Sequence, residues 1–210
     1  RQAMTDFSLV GDIGGTNSRF GLVEQGSMAV RDMESLKNDS FNSLEAAIQR
    51  YLRNRGIASL SALAIAVAAP VDRERITLTN RDWTFSAEGL RAAAAAKRIR
   101  LLNDYEALAL ALPHLQGDDL VQIGGQASAS PKLKIVIGPG TGLGMAALAP
   151  LPKGGWMALP CEPGHITLPT ETQGEFDLRE AMRRPGAAFT TEDAISGGGL
   201  PHLDDSVEVL

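Results

Sequence analysis

The sequence predicts an α/β protein with mixed sheets, and three observations carry that expectation. Apolar runs of strand length alternate with amphipathic segments of helix length through the first half of the chain, in the order β-β-β-α-β-α-β. Two glycine-rich turns, Gly11-Asp12-Ile13-Gly14-Gly15-Thr16-Asn17 and Gly138-Pro139-Gly140-Thr141-Gly142-Leu143-Gly144, each stand between apolar runs, as the tips of antiparallel hairpins do. An apolar fraction of 44% and a charged fraction of 21% are ordinary for a globular chain with a core to fill.

Phe7 to Val10 and Phe20 to Val23 are expected to pair as the first hairpin. Its adjacent glycines, Gly14 and Gly15, would let the tip adopt φ > 0 and bring backbone N–H groups close to an anion. A plain turn explains the same residues, because Gly-Gly between alternating apolar runs is already a sufficient hairpin signal. Ser27 to Leu36, with Met28, Val30 and Met33, suits a third strand. Ser43 can cap a helix whose buried face is Leu44, Ala47, Ile48, Tyr51 and Leu52 and which Gly56 stops. Leu63 to Val67 reads as a strand buried on both faces and Ile76 to Leu78 as a short strand. Ser86 caps a helix running through Ala92 to Ala96, and Ile99 to Leu102 returns as a strand. Leu102-Asn103-Asp104-Tyr105-Glu106 then joins that strand to a helix that Pro113 ends.

Two α/β domains, residues 1–112 and 113–210, are expected, with the boundary near Leu112 to Gly117. Gln116 to Pro131, rich in Gly, Asp, Ser and Gln, reads as a loop with one short strand near Leu120 to Ile123. Leu133 to Ile137 is expected as a second buried strand, with Met145 to Leu148 as its hairpin partner. Pro160 to Pro169 carries the turn Glu162-Pro163-Gly164-His165. Gly174 to Arg184 reads as a helix, and Thr191 to Ile195 is the last regular piece before Ser196-Gly197-Gly198-Gly199.

Charge and composition narrow the class of partner. Twenty Lys and Arg against twenty-five Asp and Glu give a net charge of -5, with no basic block to track nucleic acid or an anionic membrane. A small-molecule partner is therefore expected. The lone cysteine, Cys161, excludes an internal disulfide and a cysteine-rich zinc cluster and suits a reducing cytoplasm; its simplest role is a small buried apolar residue. Leu60 to Ala69, the longest mostly apolar run, is too short to span a bilayer. Arg1 to Asp6 lead into a strand rather than an apolar leader, with Met4 as the expected start. Asp72, Arg73, Glu74 and Arg75 read as a solvated loop.

The second glycine turn fails the common nucleotide motifs. In the pattern G-x-G-x-x-G the third glycine falls on Leu143 counting from Gly138 and on Met145 counting from Gly140, and no lysine follows to make a Walker loop. Two glycine hairpins instead suggest two backbone cradles gripping one polyphosphate. Asp12, at the end of the first strand, would hold Mg²⁺ through water, and Thr16 and Asn17 add neutral hydrogen-bonding groups beside a phosphate. Asn103 and Glu106 have the spacing of a capping box and Asp104 suits the start of a helix dipole, so helix capping alone would explain them. His165 alone reads as a hydrogen-bonded loop histidine.

Asp12-Ile13-Gly14-Gly15-Thr16-Asn17, Leu102-Asn103-Asp104, Gly138 to Gly144 and Glu162-Pro163-Gly164-His165 occur in the order seen in bacterial glucokinases, and the chain resembles that family from near its start to Leu200. The resemblance implies an actin-like, ribonuclease-H-like ATPase fold of two α/β domains with a cleft between them. It also implies cytoplasmic, ATP- and Mg²⁺-dependent phosphorylation of glucose at the 6-hydroxyl, the first step of glycolysis. It assigns Asp104 as catalytic base and gives Asn103, Asp104, Glu162 and His165 to the sugar, with Glu192 added because Thr191-Glu192 precedes Ser196 to Gly199. Asp12, Gly14, Gly15, Thr16, Asn17, Gly138, Gly140, Thr141 and Gly142 go to the nucleotide and its metal. A pyranose suits such a set, since its hydroxyls both donate and accept hydrogen bonds.

Family members are often dimers, so a homodimer is expected. The neighbouring repressor, open-reading-frame and kinase group usually carries a cysteine-bound zinc after Glu-x-Gly-His, whereas Ile166 to Arg184 contains no cysteine. A sugar-binding protein without catalytic activity is the other reading. Glucokinases of this kind continue beyond the Ser-Gly-x-Gly-Leu stretch with a segment that holds adenine. The second domain is accordingly expected to be incomplete, leaving apolar surface exposed.

Overall fold

The computed structural model describes residues 6–71, 73–78, 81–125 and 132–209; Met4, Asp72 and the 126–131 part of the expected polar loop lie outside them. The first of two units, Arg1–Ala107, is built on a five-stranded sheet. β1 (Phe7–Ile13) and β2 (Asn17–Glu24) form the expected hairpin, and β3 (Val30–Lys37) pairs antiparallel with β2. α1 (Leu44–Arg53) leads to β4 (Ala62–Val67), which lies parallel to β1. The small hairpin β5 (Ile76–Thr77) and β6 (Thr84–Phe85) and then α2 (Ala87–Ala93) precede β7 (Ile99–Asn103), parallel to β4. The sheet order β3-β2-β1-β4-β7 brings the carboxyl ends of three parallel strands to one edge, where Ile13, Val67 and Asn103 stand in register. α3 (Asp104–Ala111) starts directly from that edge.

α1 forms where its pattern says it should. Ser43 Oγ accepts a hydrogen bond from the Ala46 N–H (3.2 Å), and Leu44, Ala47, Ile48, Tyr51 and Leu52 are the buried face. They pack into one core with Leu9, Ile13, Leu63, Ile65 and Val67. Two local expectations change. Met28 and Met33 are each 76% exposed: Met28 lies ahead of β3, outside the paired ladder, and at Met33 the φ of 52° at Asp32 and the β2–β3 register shift between Phe20 and Leu22 break the alternation; β3 buries Leu36 instead. α2 stops at Ala93 rather than Ala96, with Ala95 turned to φ 46°.

The second unit, Leu108–Leu210, contains an antiparallel sheet of order β10-β9-β8, made by β8 (Lys134–Pro139), β9 (Leu143–Pro150) and β10 (Trp156–Cys161). α4 (Gln173–Met182), α5 (Thr191–Ala194) and α6 (Gly199–Val209) follow. The strand expected at Leu120 to Ile123 does not form; Ile123 is 98% exposed and no strand among the described residues pairs with this stretch. β8 is a strand but not a buried one, since Leu133, Ile135 and Ile137 are exposed, as are Met157 and Leu159 of β10. Register places Ile135 and Leu159 across from Ala147 on one face of the sheet, and among the described residues of this unit Ile135 and Leu159 remain exposed there. Among the described residues no helix is long and apolar enough to cross a membrane.

Candidate functional site

In the first unit, the sheet edge gathers two carboxylates and a glycine turn. Asp12, Ala66 and Leu102 stand across from one another in neighbouring strands, and Asp104 follows one residue beyond the end of β7. Two strand spacings separate Asp12 from the β7 end, on the order of 10 Å. Asp104 is half-buried, and its burial pushes the carboxyl above the ordinary aspartate range; the charge of Asp12 pushes the same way, while the Tyr105 N–H opposes both. Asp104 Oδ1 accepts from the Tyr105 N–H at 2.9 Å, and Asn103 Oδ1 accepts from the same N–H at 3.0 Å. Both residues therefore do start the helix. The Glu106 carboxylate pairs with Arg100 (3.4 Å), and the capping box its spacing allowed is not among the described hydrogen bonds.

The first glycine tip is closed by the Gly14 N–H, which donates to Asn17 O at 3.0 Å. The expectation of φ > 0 fails here, since neither Gly14 nor Gly15 takes a positive φ. What glycine supplies is empty space: a Cβ on Gly14 would come no closer to other atoms than 3.6 Å, so the tip stays bare on its outer side. Behind the tip, Asn38 and Arg81 hold its carbonyl oxygens. Asp12 Oδ2 accepts from Arg19 Nη1 at 2.9 Å, with both side chains more than half exposed. One exposed carboxylate beside a phosphate-sized turn fits Mg²⁺, which keeps several waters and takes its remaining ligands from phosphate oxygens. No group of three or more His, Cys, Asp or Glu able to hold a metal occurs among the described residues, so Asp12 fits a contact through water and not a closed cage.

In the second unit, Glu192 draws three of the motifs together. Its Oε2 accepts from the Leu143 N–H (3.4 Å) at the start of β9, and its Oε1 lies 3.7 Å from His165 Nε2. A Cβ on Gly142 would come within 2.6 Å of Glu192 Oε2, and a Cβ on Gly164 would do the same. The tip of the second hairpin is fixed by the Gly140 N–H donating to Gly142 O (2.8 Å) and by the Gly197 N–H donating to Gly140 O (2.7 Å). Thr141 is exposed at that tip, and Gly138 and Pro139 end β8 beside it. Glu162 heads the short turn Pro163–His165 and is exposed, as is His165. Cys161 ends β10 half-buried, with its Sγ 3.4 Å from Leu159 O, so it is less enclosed than expected.

Sequence reasoning passes over Arg19, Asn38 and Arg81. Arg19 carries a usable signal, because closing the hairpin at Gly14 to Thr16 sets it directly across from Asp12. Asn38 carries none, since its side-chain partners lie twenty or more residues away.

A glucokinase family profile matches residues 9–208. The chain is 37% identical over 197 residues to the glucokinase of Marinobacter nauticus, covering 94% of this chain and 61% of that one. Among solved structures, a glucokinase from an Antarctic psychrotroph matches with a TM-score of 0.85 at 30% identity, over 97% of this chain and 65% of that one. The glucokinase of Balamuthia mandrillaris, solved in complex with glucose, matches in fold with a TM-score of 0.73 at 21% identity, over 98% of this chain and 65% of that one. The fold is thus the actin-like α/β ATPase fold of these sugar kinases. This chain spans about three fifths of the length of the curated relatives it matches. With similarity running through nearly all of its residues, the chain belongs to the glucokinase family.

Proposed function

We propose that the protein transfers the γ-phosphoryl group of ATP to the 6-hydroxyl of D-glucose, giving glucose 6-phosphate and ADP. The observation that carries this reading is Asp104, a half-buried carboxylate with a raised pKa at the edge that also holds Asp12 and the first glycine tip. A raised pKa makes the ionised form a stronger base, which suits acceptance of the 6-hydroxyl proton as the phosphoryl group arrives. Phosphoryl transfer depends on positioning and charge neutralisation more than on covalent chemistry, so the two glycine tips, Gly14 to Asn17 and Gly138 to Gly142, are assigned to the phosphates, with the Gly14 and Gly140 N–H groups closing the tips themselves. Mg²⁺, when held through water at Asp12, supplies charge neutralisation between the phosphates.

Asn103, Asp104, Glu162, His165 and Glu192 are assigned to the sugar hydroxyls. The Leu143 N–H and the contact with His165 orient the Glu192 carboxylate, as a sugar ligand requires. The reading places the work in the cytoplasm, where ATP is supplied and a lone thiol such as Cys161 stays reduced. It is tested by coupling glucose 6-phosphate formation to a dehydrogenase and comparing glucose, mannose and glucosamine by kcat/KM. Glucose is expected to exceed each of the others by about tenfold or more, because inverting or replacing the 2-hydroxyl leaves a polar group of the site imperfectly paired. Absence of ATP-dependent transfer to any of the three sugars overturns the kinase reading.

A further inference from the structure

The first glycine tip has a bare outer side and a heavily bonded inner one. Asn38, in the short 3-10 turn that follows β3, is fully buried and sits beneath it. Its Nδ2 donates to Gly14 O (2.8 Å) and to Gly15 O (3.1 Å), which uses both amide hydrogens. Its Oδ1 accepts from Ser18 Oγ (2.7 Å), itself fully buried, and its backbone N–H donates to Thr16 O (2.9 Å). Two adjacent carbonyls captured on one side force the amide to face this way, because only the nitrogen end can donate to both. Arg81 adds a weaker hold on the same carbonyl, its Nε donating to Gly15 O at 3.3 Å while its guanidinium pairs with Asp39.

Planarity of the peptide turns this hold into a statement about the opposite side. In a trans peptide the C=O and the following N–H point in opposite directions. Holding Gly14 O and Gly15 O against Asn38 therefore aims the Gly15 and Thr16 N–H groups away from it, toward the bare side of the tip. Among the described residues neither N–H donates to a protein acceptor. Successive N–H groups aimed the same way form an anion-binding concavity. We infer that Asn38 is a positioning residue for the polyphosphate of the nucleotide, clamping the carbonyls of Gly14 and Gly15 so that the next two N–H groups are set for phosphate oxygens before the nucleotide arrives. The inference rests on the kinase reading and adds a residue to it. Arg81 assists through its hydrogen bond to Gly15 O.

The test replaces Asn38 with Leu, which keeps the volume and removes both donors, and Arg81 with Met in a second chain. ATP and glucose affinities are measured by calorimetry, KM for both substrates is measured wherever turnover is present, and amide exchange is followed at Gly15 and Thr16. Asn38→Leu is expected to weaken ATP about tenfold, equivalent to about 1.4 kcal/mol, to leave glucose affinity within about twofold, and to speed exchange at the two amides. Arg81→Met is expected to weaken ATP about threefold by the same route, and it carries the test if Asn38→Leu does not fold. A merely structural role would lower the active fraction, and so kcat, while both KM values stayed in place. ATP binding equal to the parent's in the folded variants overturns the inference and leaves the kinase reading standing. A parent chain that binds neither ATP nor inorganic tripolyphosphate, which needs no adenine pocket, overturns both.

Discussion

Replacing Asp104 with Asn separates the two roles that the start of α3 combines. The amide keeps an acceptor oxygen for the Tyr105 N–H, now bonded at 2.9 Å, and Asn103 Oδ1 remains as a second acceptor at 3.0 Å. Asn and Asp are near-equal helix caps, so the cap changes by a few tenths of a kcal/mol, ~0.3, where full loss of a cap costs about 1 kcal/mol. The base is a different matter, because an amide does not take a proton from a hydroxyl. General-base catalysis is worth about 10²- to 10⁴-fold, which is roughly 2.7 to 5.4 kcal/mol at about 1.36 kcal/mol per tenfold. The expected outcome is a loss of kcat of at least about a hundredfold, with the urea midpoint and glucose affinity nearly unchanged. Coupled turnover, urea unfolding and calorimetry on the same preparation read all three. Turnover within about threefold of the parent, a difference of only about 0.65 kcal/mol, would refute the assignment and leave Asp104 as a helix cap.

The same residue predicts a pH signature in stability. Folding raises the pKa of Asp104, so its contribution favours the folded state below the ordinary aspartate range and is lost as pH rises through the raised value. Urea midpoints between about pH 4 and about pH 7 should accordingly move in favour of Asp104→Asn relative to the parent as pH rises, and a constant gap would contradict the raised pKa. The two glycines around Glu192 predict contrasting results. In Gly142→Ala the new Cβ meets only the end of the flexible Glu192 side chain, so the protein should fold normally and show a raised KM for glucose. In Gly164→Ala it also meets Leu143 O at 3.1 Å, which is backbone, and overpacking there should add a loss of about 1 to 3 kcal/mol in urea unfolding. Unchanged glucose KM in both variants would separate Glu192 from the sugar.

Elements with dense local signals are legible from the amino-acid order alone. α1 buries the five residues its spacing marks, and its cap is Ser43, because cap, stripe and stop all lie within fourteen residues. β10 escapes such reasoning through Pro160, which forbids a central strand but is tolerated on an edge, and β10 is an edge strand. β8 reads as buried because Leu133, Ile135 and Ile137 are apolar. Alternation shows only which residues share a face; whether that face is covered depends on elements elsewhere.

The glycines of the candidate site are legible by position but not by cause. Motif order finds Gly14, Gly15, Gly142, Gly164 and Glu192, yet φ > 0, the reason expected at Gly14 and Gly15, holds at neither, nor at Gly142 or Gly164. At Gly142 and Gly164 the actual reason is volume, since one carboxylate oxygen of Glu192 lies 2.6 Å from where either Cβ would be. Glu192 stands 50 residues from one glycine and 28 from the other, so no local pattern could reveal that the two make room for it. Three motifs that read as independent in sequence are therefore one packed object in the second unit: a glycine hairpin, a Pro-Gly turn and the carboxylate wedged between them. A change at any one of the three is transmitted to the others through contact, and glucose affinity should respond even to substitutions made in the glycine hairpin.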